Sequence, residues 1–133
     1  MNDAPIKLET IAGLKTGVCV VGEGSPVLAL HGWGGSIQSF WPVAQHLSEH
    51  GYQVHVLDLP GFGESELPPE PWSVADYMRF VLAYLDAHEI TQTAVLSHSF
   101  GGRISLVLAA EHPDRVSRMV LADSAGIPNI LSM

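Results

Sequence analysis

The chain has 133 residues, 47% hydrophobic and only 15% charged, against a usual charged share of about 25%, which excludes a disordered solvating tail. Fourteen acidic against six basic residues leave a net charge of −8, which argues against nucleic acid or an anionic membrane surface as partner. The aliphatic runs are too short to span a bilayer, the start lacks a signal peptide's basic and apolar regions, and the lone Cys19 forms no internal disulfide, so a single cytoplasmic domain is expected.

Taken in order, extended pieces are expected at 6–10 and 16–21, broken by Gly13 and closed by Gly22 and Gly24. Residues 26–30 form a short apolar run without alternation, as in a parallel strand buried on both faces. Ser36 is placed to cap a helix carrying Ile37, Phe40, Trp41, Ala44 and Leu47 at helical spacing, with Gly51 as its stop. A strand is expected at 52–57, followed by a proline-rich loop. Ser73 then caps a helix in which Val74, Tyr77, Met78, Val81, Leu82 and Leu85 share one face. Residues 93–96 read as a third core strand, 101–111 as a third helix and 118–122 as the last strand. Strands alternating with helices predict an α/β fold, with sites at the carboxyl ends of the strands.

Three segments at those ends carry chemistry. Ser97-His98-Ser99-Phe100-Gly101-Gly102 joins a strand to a helix and resembles the turn that raises a nucleophilic serine above a sheet. Ser97 stands where that pattern usually has glycine, and it is expected to add strain; an ordinary turn with a capping serine is the alternative. His31-Gly32-Trp33-Gly34-Gly35-Ser36 follows the first core strand, and its glycines let backbone N–H groups approach a ligand. Neither the glycine spacing nor a lysine makes it a phosphate loop. Asp58-Leu59-Pro60-Gly61-Phe62-Gly63-Glu64-Ser65 follows the next strand and by itself reads as a turn.

In this order and on these elements, the three segments resemble the α/β-hydrolase superfamily, nearest to its small-ester hydrolases with an H-G-W-G loop. The resemblance runs from about residue 16 to 125 and implies a half-length fold: a mostly parallel sheet of about six strands with flanking helices. It implies Ser99 as nucleophile and the backbone N–H groups of Trp33 and Phe100 as the oxyanion hole. A nucleophilic serine argues against the dehalogenase branch, which uses aspartate there. Asp123, ending the last strand, is the candidate acid, with a polar strand end or helix cap as the alternative.

No histidine follows Asp123, so the general base has no clear candidate. His31, at the oxyanion loop, is the nearest one, although the family usually gives that position an architectural part. His98 is expected to pack beneath the turn, facing away from the nucleophile, and His55 and His88 read as structural or solvated. His46-Leu47-Ser48-Glu49-His50 matches a zinc pattern, but Gly51 ends its helix at once and both imidazoles suit a helix C-terminus, so no metal is expected. No cofactor is implied.

Only 11 residues follow Ala122, fewer than a crossover to another parallel strand requires. The resemblance therefore leaves out the family's last two strands, and the edge from Arg118 to Ala122 is expected to lie open. A homodimer or higher oligomer through that edge, or through residues 124–133 as an exchange arm, follows as an expectation. The expected activity is weak, broad hydrolysis of short carboxylic esters through an acyl-enzyme on Ser99. A catalytically inactive half-domain serving as a binding or assembly module is the alternative.

Overall fold

A computed structural model describes residues 3–123 of the chain. Six strands and three α-helices follow one another as β1 (Lys7–Ile11), β2 (Leu14–Val21), β3 (Ser25–Leu30), α1 (Ile37–Ser48), β4 (Tyr52–Leu57), α2 (Val74–Ala87), β5 (Thr93–His98), α3 (Phe100–Glu111) and β6 (Val116–Ala122). A short 3₁₀ turn at Pro113–Arg115, not anticipated from sequence, leads into β6. One sheet holds all six strands in the order β1-β2-β4-β3-β5-β6. The β1–β2 and β2–β4 pairings are antiparallel, and β4–β3, β3–β5 and β5–β6 are parallel.

The helix starts follow from local chemistry. The Ser36 hydroxyl accepts the Gln38 N–H, and the Ser39 hydroxyl oxygen accepts the Ser36 N–H in return. At α2, the Ser73 hydroxyl accepts the Asp76 N–H while the Asp76 carboxylate accepts the Ser73 N–H at 2.8 Å. Both helices then present the apolar face predicted from their spacing: Ile37, Phe40, Trp41 and Ala44 on α1, and Tyr77, Met78, Val81 and Leu85 on α2.

The sheet is covered unequally. On one face α2 and α3 bury Leu28, Leu30, Leu57, Val95, Ile104 and Leu108 in the larger core. On the other, α1 packs over Cys19, Val27, Ala29, Val54 and Val56. Beyond α1 that second face is open: Val120 on β6 is 57% exposed, and an apolar groove of about 340 Å³ runs between Val43, Leu47, Leu96 and Val120. Among the described residues β6 is an edge strand. Residues 124–133, the candidate exchange arm, lie outside the described residues.

The strand order fixes where a site can form. Strand β3 has β4 on one side and β5 on the other, and the connections leave β3 and β5 on opposite sides of the sheet through α1 and α3. Such a switch point opens a crevice at the carboxyl ends of the strands. The loops after β3, β4, β5 and β6 all reach that edge, and they hold Trp33, Asp58, Ser99 and Asp123.

Candidate active site

Ser99 joins β5 to α3 with φ 50° and ψ −114°, a conformation that L-residues with a side chain rarely adopt. The turn is held from both sides. The Ser99 N–H donates to the Ala122 carbonyl at 3.0 Å, and the Ser99 carbonyl accepts the Gly102 N–H at 2.8 Å. Two close approaches explain its small neighbours. A side chain at Gly101 would collide with the Leu30 carbonyl, and one at Gly32 would lie 2.8 Å from His98 Nδ1 and 3.0 Å from Ser99 Cβ. The elbow and the 31–36 loop are therefore pressed together.

The strain expected at Ser97 is carried by Ser99 instead. Ser97 is an ordinary β5 residue, paired with Leu30 and Leu121. Its hydroxyl is fully buried and has no hydrogen-bond partner among the described residues, so what it adds is an unmatched polar group rather than a distorted backbone.

Opposite Ser99, the 31–36 loop folds into a turn closed by the Gly35 N–H on the Gly32 carbonyl at 2.9 Å. Neither the Trp33 N–H nor the Phe100 N–H donates to a protein acceptor among the described residues. Phe100 is the first residue of α3, so its amide belongs to the positive end of that helix. The Trp33 ring, 70% exposed, stands edge-on to Phe62 at 4.9 Å and to Phe100 at 5.2 Å. Phe100 in turn meets Tyr77 at 5.2 Å, giving an apolar wall beside the elbow.

His31 is placed differently from a base. It is fully buried, its Nε2 accepts the Leu59 N–H at 3.0 Å, and its Nδ1–H donates to the Gly32 carbonyl at 2.7 Å. Both ring nitrogens are committed to backbone, and burial pushes its pKa below the ordinary histidine value, outweighing the Gly32 carbonyl and Asp58, which act upward. That corrects the expectation of His31 as general base: it has no lone pair to offer Ser99 and instead braces the loop.

His98 also departs from its expected place. The sequence places it covered beneath the turn and facing away from Ser99, but α1 does not cover that part of the sheet, so the ring is about half-exposed. It lines a groove of about 470 Å³ with Gly32, Trp33, Leu96 and Ala122. Its Nε2 lies 3.9 Å from Asp123 Oδ2, beyond hydrogen-bond reach. Asp123 sits at φ 47° with an almost fully exposed carboxylate, directly after the carbonyl that anchors the elbow. His46 and His50 stack at 4.6 Å, and His50 Nδ1–H donates to the His46 carbonyl at 2.9 Å, a helix-end contact.

Asp58 was not singled out from sequence. It is 1% exposed, and its two carboxylate oxygens accept the Ile37 N–H at 2.7 Å and the Glu64 N–H at 2.9 Å. The signal that finds it is an aspartate at a core-strand end followed by a glycine-rich turn.

Comparison with known proteins agrees with this fold. A family model described as the alpha/beta hydrolase fold matches residues 25–132. The chain is 36% identical over 130 residues to 2-hydroxymuconate semialdehyde hydrolase of Pseudomonas sp. strain CF600, covering 95% of this chain and 46% of that protein. Among solved structures it resembles the meta-cleavage product hydrolase of Pseudomonas fluorescens IP01, with TM-score 0.84 and 33% identity over 90% of this chain and 45% of that one. It also resembles an epoxide hydrolase of Vigna radiata, with TM-score 0.84 and 25% identity over 88% and 39% of the two chains. The chain spans less than half the length of these proteins. It belongs to the α/β-hydrolase fold family.

Proposed function

We propose that the chain is a serine hydrolase of short carboxylic esters, broad in specificity and weak. One observation carries this reading: a serine at φ 50° on a strand-to-helix turn, beside the Trp33 and Phe100 amides, which have no protein partner among the described residues. Ser99 Oγ attacks the ester carbonyl, the oxyanion is received by the Trp33 and Phe100 amides, and the alcohol leaves. Water then releases the acid from the acyl-serine. Oxyanion stabilisation and orientation without a dedicated base leave roughly 10³–10⁴-fold catalysis over water, which is why the activity is expected to be weak. Asp123 is the acid of this reading, supported by its position after the carbonyl that anchors the elbow. Hydrolysis of p-nitrophenyl acetate tests the reading. Turnover that disappears in Ser99→Ala supports it, and equal turnover in that variant refutes it.

Self-association is part of the same proposal, supported by the exposed Val120 and the apolar groove beside it. A second copy paired along the edge from Arg118 to Ala122 would cover both. Light scattering at micromolar concentration should then show more than one chain per particle, and a monodisperse monomer would contradict it. If no ester is turned over but the particle is oligomeric, the reading as a non-catalytic assembly module is favoured.

A further inference from the structure

Building on the assignment of Ser99 as nucleophile and the Trp33 amide as oxyanion donor, we infer that Asp58 is a positioning residue whose buried carboxylate sets the aim of the oxyanion loop. The loop leaves β3 after Leu30 and enters α1 at Ile37. It is pinned at both ends, and both pins belong to two consecutive residues at the end of the neighbouring strand β4. At the start, His31 Nε2 takes the Leu59 N–H at 3.0 Å. At the end, the Ile37 N–H donates to Asp58 Oδ1 at 2.7 Å. The Trp33 amide lies between the pins.

The chemistry requires a carboxylate. Two amides, those of Ile37 and Glu64, converge on Asp58 from different segments, and a carboxylate accepts both where an asparagine side chain has one acceptor oxygen. No lysine, arginine or histidine pairs with Asp58 among the described residues, so its charge rests on backbone amides and on the positive end of α1. The surroundings are shaped to hold it. A side chain at Gly63 would collide with the carboxylate. The Ser65 hydroxyl donates to the Asp58 carbonyl, while the Gly17 N–H donates to Ser65 Oγ and the Asp58 N–H to the Gly17 carbonyl, each at 2.9 Å. Burying a charge in this way is a poor route to stability alone. It serves a loop whose amide must meet an oxyanion, where a misplacement of about 1 Å costs about 100-fold in rate.

The test uses the whole chain and diethyl p-nitrophenyl phosphate, which transfers its diethylphosphoryl group to Ser99 Oγ as p-nitrophenolate leaves. Asp58→Asn should slow that reaction about 10- to 100-fold and lower kcat on p-nitrophenyl acetate by a similar factor, with KM changed less than about twofold because the ground state does not use the oxyanion donor. Ile37→Pro is the second variant: it deletes the same N–H at the first helical position, where proline is tolerated. Because it also removes a fully buried side chain, its rate is compared with its own unfolding midpoint; the same loss of rate is expected in the folded chain. Tyr84→Phe, which weakens the fold away from the site, should leave the rate unchanged. An Asp58→Asn chain that is folded and reacts at the parent rate overturns the inference. So does equal slowing in Tyr84→Phe, which would make the effect one of general stability. Absence of any adduct on the parent's Ser99 would instead overturn the serine assignment, and the inference with it.

Discussion

The Leu59 N–H donates to His31 Nε2 at 3.0 Å, and this one bond changes what His31 is for. A residue beside a nucleophile invites reading as its base, yet with Nδ1–H on the Gly32 carbonyl the ring is a neutral strut between two backbone segments. Replacing it by alanine strands the Leu59 donor and the Gly32 acceptor in a buried place, each costing about 1–3 kcal/mol. His31→Ala is therefore expected to lower stability by about 3 kcal/mol in urea unfolding. An unchanged midpoint would contradict this role.

The close contact between α3 and β3 makes a second prediction. Gly101 passes against the Leu30 carbonyl, and that partner is backbone, which cannot swing aside. Gly101→Ala should destabilise the chain by about 3 kcal/mol through overpacking, or prevent it from folding. A variant with parental thermal stability would show that the elbow is looser than described.

Ser97 offers a gain instead of a loss. Its buried hydroxyl has no partner among the described residues, so the folded state carries a desolvated polar group that alanine would remove. Ser97→Ala should raise stability by about 1 kcal/mol in denaturant unfolding. A decrease would mean that the hydroxyl is satisfied in solution.

A fourth prediction concerns pH. His55, on β4, is buried against α2, where its Nδ1 accepts the Tyr84 hydroxyl at 2.6 Å, and its Nε2–H donates to Gln53 Oε1 at 3.0 Å. Burial first, and then nearby His88, lower its pKa from 6.5 to about 4. The unfolded chain therefore binds the proton more tightly between those values. The stabilisation from neutral His55 is complete above about pH 6.5 and is lost as pH falls towards 4, a change of about 3 kcal/mol. Unfolding measured at pH 7.5 and pH 4.5 should show this loss, and His55→Gln should flatten it. The same acid loss in that variant would assign it to other groups.

Much of this was legible in the sequence. Helix α2 begins after Ser73 as its capping box and its i, i+3, i+4 face require, and β4 matches its expected span of 52–57. Ser99, Trp33 and Phe100 meet because strand order, which the motif order implies, puts β3 beside β5. What sequence did not give was burial. His98 is expected beneath the turn, facing away from Ser99, and only the structure shows that α1 stops short of covering it. Asp58 read as a turn residue for a similar reason, since its partners Ile37 and Glu64 come from separate loops that meet only once the sheet is built.

A nucleophilic Ser99 with a working oxyanion hole reacts with an activated phosphate triester. Intact-mass and peptide analysis after reaction with diethyl p-nitrophenyl phosphate tests it most directly. A single diethylphosphoryl adduct on Ser99, and none in Ser99→Ala, is expected. An unmodified chain, or one modified equally in Ser99→Ala, would contradict it.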